Sequence, residues 1–116
     1  MVFALAVAAC GPEAAASPVV VDLLTEGQPS QACMDALATG QLVADLRSGL
    51  GIAAAGGERY SVMWPFGYSA VYADDRLWLL APDGTPIAAE GDVIQMGGGH
   101  GNDLFYACAG SIERVN

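Results

Sequence analysis

Between Tyr60 and Gly101 short apolar runs alternate with turn signals at a steady pace. The turns are Trp64-Pro65-Phe66-Gly67, Ala73-Asp74-Asp75, Pro82-Asp83-Gly84-Thr85 and Glu90-Gly91-Asp92, followed by the run Gly97-Gly98-Gly99-His100-Gly101. Segments this short cannot complete helices, and strands of a few residues joined by frequent turns build small antiparallel barrels or sandwiches. The same pattern starts upstream. Leu42, Ala44 and Leu46 alternate with Val43, Asp45 and Arg47, and Leu50, Ile52 and Ala54 alternate up to the Gly56-Gly57 turn. Arg59 to Trp64, Tyr68 to Tyr72, Leu77 to Ala81, Ile87 to Ala89, Val93 to Met96 and Leu104 to Cys108 read as further strands. The expected fold is mainly β: a small OB-like antiparallel β-barrel of about five to seven strands, whose closure removes unpaired edges.

One short helix is expected before the barrel. In Ser30 to Ala38, Ser30 is a candidate N-cap, Gly40 a C-terminal stop, and Cys33, Met34 and Leu37 share a face at helical spacing. Upstream, Gly11 to Ser17 is small, proline-flanked and unable to bury a core, which suits a tether. Val19-Val20-Val21 is either a first strand or the end of that tether. These readings divide the chain into an N-terminal signal or lipobox remnant (1–10), a flexible tether (11–29) and a barrel domain (30–116).

The length of 116 residues holds one domain. The net charge is −9, with four arginines and no lysine. Nucleic-acid binding rests on neutralising phosphates with basic side chains, so no nucleic-acid partner is expected. Electrostatic adhesion to an anionic membrane surface is not expected, on the same ground.

Met1 to Ala9 is apolar and runs into Cys10. In helix it would span only about 12 Å, against the roughly 30 Å of a hydrocarbon layer, so it is no transmembrane span. Val7-Ala8-Ala9-Cys10 resembles the lipobox of bacterial lipoproteins, in which small residues precede a cysteine that is acylated and becomes the mature N-terminus. The departure from that pattern is the missing basic residue before the apolar run. The alternative is an apolar segment carrying an ordinary buried cysteine. Downstream, Trp64-Pro65-Phe66-Gly67, Gly91-Asp92 leading into a strand, the glycine run and Cys108 are together similar to small secreted bacterial lipoproteins with an OB-like C-terminal domain. The resemblance covers roughly Gly40 to Asn116. It implies a fold and an extracytoplasmic, lipid-anchored location, and no activity.

The chain has three cysteines, an awkward number for a secreted protein. A lipid on Cys10 would leave Cys33 and Cys108 as a pair, closing a long loop; the alternative is two reduced thiols in a cytosolic protein. No Cys-x-x-Cys occurs, and one histidine cannot complete a standard zinc set. Two candidate binding sets remain. The string Gly97 to Asp103, read as a loop, carries His100, Asn102 and Asp103, which suit a divalent cation or a sugar. Among the aromatics, Trp64 and Trp78 are expected in the core, while Phe66 and Tyr68, beside the Pro65 turn, are the candidates for a surface that stacks on a ligand. Catalysis by His100 would need a nucleophile and an orienting carboxylate that the sequence does not place. The expected function is therefore non-enzymatic: a lipid-anchored extracytoplasmic domain, structural or binding an envelope protein or glycan, with no cofactor. The alternative is a small-ligand module for a cation or glycan.

Overall fold

A computed structural model describes residues 18–30 and 32–116. They form ten strands and, among the described residues, no helix. The strands are β1 (Val19–Val21), β2 (Ala36–Asp45), β3 (Gly49–Ala53), β4 (Arg59–Met63), β5 (Ser69–Ala73), β6 (Arg76–Leu80), β7 (Pro86–Ala89), β8 (Val93–Gly101), β9 (Leu104–Ala107) and β10 (Glu113–Arg114).

Five of them close a barrel. β2 lies antiparallel between β8 and β3, and β3 is antiparallel to β4. β4 and β9 run parallel, with Val62 opposite Phe105. β9 returns to β8 through a two-residue hairpin and completes the ring. β10 adds to the free side of the first half of β8. The excursion between β4 and β8 folds as a second antiparallel sheet in the order β1-β5-β6-β7. Both sheets serve one core. Leu42, Leu50, Ile52, Val62, Ile94, Met96 and Phe105 fill the barrel, and Ala70, Leu79 and Ala88 join them from the second sheet. Each large aliphatic buried here is worth about 1.5–3 kcal/mol.

The expected helix is absent. Ala32 to Met34 have no regular structure, and Ala36, expected in the helix, opens β2. The competing interactions are tertiary: Ala36 to Gln41 pair with Gly98 to Val93, and Cys33 is bonded to Cys108. A nine-residue helix has little stability of its own to set against a strand ladder. The glycine run is likewise strand and not loop, forming the second half of β8. Gly98 is buried, and a Cβ there would meet the Tyr106 carbonyl and the Phe105 ring; one on Gly99 would meet Met34 Sδ at 2.5 Å. Gly98 and Gly99 are bare of side chains because neighbours on the two faces occupy that space.

Of the two readings of Val19-Val20-Val21, the first strand is the one seen. Val19–Val21 pair with β5. Beyond them, Leu24 N–H donates to the Ser48 carbonyl at 3.0 Å and Trp64 N–H to the Leu24 carbonyl at 2.9 Å, knitting this stretch to the barrel. The lipobox at Cys10 lies outside the described residues.

Candidate functional site

Trp64 sets the geometry of one apolar groove. Its side chain is fully buried, and its indole N–H donates to the Leu50 carbonyl at 2.9 Å. With Trp64 fixed, the Pro65 turn throws the next residue outward: Phe66 stands 48% exposed. Gly67 has a φ of 90°, and Pro82 lies so close that a Cβ on Gly67 would sit 3.1 Å from it. Pro65, Phe66 and Pro82 thus make one wall of a groove of about 380 Å³, with Tyr106 to Ala109 of the barrel beside them. The facing wall is a strap, residues 26–34 with Gln31 outside the described set, contributing Glu26, Pro29, Ser30, Ala32, Cys33 and Met34.

The strap is held at two points. At its start, Glu26 N–H donates to the Trp64 carbonyl at 3.0 Å. Near its end the Cys33–Cys108 disulfide ties it to the barrel, with Cα atoms 5.5 Å apart. Cys108 is itself seated by its N–H on the Gly97 carbonyl at 2.9 Å, and by its carbonyl, which accepts from Ser111 Oγ at 2.7 Å. Between these points, among the described residues, no main-chain hydrogen bond joins 27–35 to the barrel.

A second, more open concavity of about 520 Å³ lies at one end of the barrel, lined by Arg59, Tyr60, His100, Gly101, Asp103 and Leu104. The His100 ring lies between Tyr60 and Phe105, with centroids 5.0 Å and 5.1 Å away. Tyr60 donates its phenol to Glu58 Oε1 at 3.0 Å. That bond, with a little burial and the carboxylate's charge, pushes the phenol's pKa up. Asn102 and Asp103 have φ of 50° and 63°, the left-handed pair of a type I′ hairpin that short polar residues tolerate. Arg47 reaches across from the β2–β3 turn to both their carbonyls at 3.4 Å.

The candidates named from sequence therefore divide. His100 and Asp103 share the barrel-end concavity, and Asn102 sits in the same turn, its amide 3.5 Å from Tyr106 Oη. Phe66 belongs to the groove. Tyr68 is half-buried and packs against the core. Trp64 is core as expected, whereas Trp78 lies half-buried on the outer face of the second sheet, under the Arg76 guanidinium at 5.1 Å. Among the described residues, no three His, Cys, Asp or Glu side chains converge to hold a metal ion.

Sequence reading missed two features. The strap wall was hidden by reading residues 26–29 as tether and those from Ser30 on as helix. The other is Asp45, whose Oδ2 accepts from Ser48 N–H at 2.8 Å, Ser61 Oγ at 2.8 Å and Arg47 N–H at 3.2 Å, with Ser48 Oγ also 2.8 Å away. Burial alone would raise its pKa, but the bonds from Ser48, Ser61 and Arg47 together hold it below the usual carboxylate value. The Asp-x-x-Ser spacing across a turn is the local signal for such a site. Gly51 leaves room for it, since a Cβ there would meet the Tyr60 carbonyl and lie 3.1 Å from Asp45 Cβ.

Compared with known protein families, curated proteins and solved structures, the chain matches none.

Proposed function

We propose that this chain is a non-enzymatic, lipid-anchored extracytoplasmic binding domain of a bacterial envelope, built on an OB-like barrel. The strand order supports the OB-like assignment: the barrel strands run first, second, third, fifth, fourth, with the third and fifth parallel. The observation that carries the location is the Cys33–Cys108 disulfide. Such bonds persist in oxidising compartments, and this one uses two of three cysteines, leaving Cys10 in its lipobox-like setting as the odd one. The groove beside the disulfide, apolar and of small-ligand size, supports binding as the role. The test is metabolic labelling with a fatty-acid probe of the protein expressed from its native locus. Wild type should take the label and Cys10→Ser should not. An unlabelled wild type would overturn the anchor.

A second reading, glycan binding, is favoured by the barrel-end concavity, where Tyr60 and His100 offer ring faces beside the polar Arg59 and Asp103. OB-like barrels bind oligosaccharides on a comparable face and its flanking loops. On that reading His100→Ala should weaken retention on an envelope-glycan column by about tenfold, the loss of one stacking contact. Unchanged retention would remove it.

A further inference from the structure

We infer that the groove between strap and barrel takes a small cationic amphiphile, with an apolar or aromatic body against Phe66, Met34 and Tyr106 and an ammonium group at Glu26. This deepens the proposed binding role and rests on it. The volume of about 380 Å³ lies within the roughly 300–1,000 Å³ of small-molecule sites. Three prolines, Phe66, Met34 and the disulfide make the lining mostly apolar, so the body of the ligand must be apolar as well.

Charge then selects the head group. Among the described residues, Glu26 is the one ionisable acid or base lining the groove apart from the Tyr106 phenol, and no arginine lines it. Among the described residues the one ion pair is Arg114 with Asp92, so the Glu26 carboxylate is not neutralised by a protein cation. Its main chain is fixed by the bond to the Trp64 carbonyl, which holds Glu26 on the groove wall. The net charge of −9 adds a field that concentrates cations and repels anions. An anionic amphiphile would meet Glu26 and this field with no compensating base.

The experiment is an NMR titration of the oxidised protein with a matched trio: 4-phenylbutylammonium, 4-phenylbutanol and 4-phenylbutyrate. The expected result is a shift pattern centred on the strap and on Phe66 and Gly67, with the ammonium binding most tightly and the carboxylate least. Glu26→Gln should weaken the ammonium by about fivefold, the scale of a partly exposed charge pair, and leave the alcohol unchanged. Phe66→Ala should weaken both. Equal affinity for ammonium and alcohol, or insensitivity of the ammonium to Glu26→Gln, would overturn the head-group assignment while leaving the groove a binding site. Absence of shifts in the groove with all three probes would overturn the inference and the groove together.

Discussion

At the turn from β2 into β3 a single carboxylate oxygen collects its donors from within the turn and from β4. Asp45 is local in sequence to Ser48 and remote from Ser61, so it closes the turn and joins it to the third barrel strand. Removing it would leave part-buried donors unpaired, a cost of about 1–3 kcal/mol. Asp45→Ala should lower stability at neutral pH by that amount in urea unfolding. The pH dependence has a definite sign. The folded pKa lies below the ordinary value, so the stabilisation is complete above the unfolded pKa and is lost as pH falls through the folded one. Wild type should therefore lose more stability than Asp45→Asn between neutral pH and about pH 2. Equal losses would show that Asp45 is not a source of acid sensitivity. The exposed Asp83, held low by the Thr85 N–H and hydroxyl, acts in the same direction in both proteins.

At the scale of elements, the strands and tight turns were legible because alternation and turn chemistry are written locally. Asp74-Asp75 is such a turn, with φ of 54° and 67°. The first half of β2 was not, because Ala36 to Gly40 become strand only through β8, a partner more than fifty residues away. Nor was the second half of β8, since glycines carry no apolar period. There the requirement for glycine comes from neighbours: the Phe105 ring on one face, and Met34 on the other. Gly98→Ala should destabilise by about 1–3 kcal/mol, because the obstructing atoms are a main-chain carbonyl and a core ring that cannot retreat. Gly99→Ala should cost less, since it pushes against the Met34 side chain of the strap, where among the described residues no main-chain hydrogen bond joins 27–35 to the barrel. Thermal unfolding of the two variants decides the order; a costlier Gly99→Ala would mean that the strap is rigid. Of the candidate site, Phe66 was readable from the Pro65 turn. The wall opposite it was not, because that wall exists only where the disulfide lays it.

For the whole molecule, the disulfide joins residues 75 apart, and closing a loop of that size restricts the unfolded chain by about 4.5 kcal/mol. Cys33→Ser should lower the urea midpoint accordingly, and non-reducing mass spectrometry of the wild type should find no alkylatable thiol at Cys33 or Cys108. Two reactive thiols in the folded domain would contradict the bond. The barrel's closure has a consequence for how the domain is made. β9 supplies the partner for β4 on one side and for β8 on the other, yet it is translated last of the five barrel strands. A nascent chain can zip β5, β6 and β7 into local hairpins early. Its barrel, however, keeps two raw edges until Leu104 to Ala107 emerge, and pairings of such long range are reached slowly. Barrel closure therefore comes late, and before the final strand arrives those edges are open to any other extended chain.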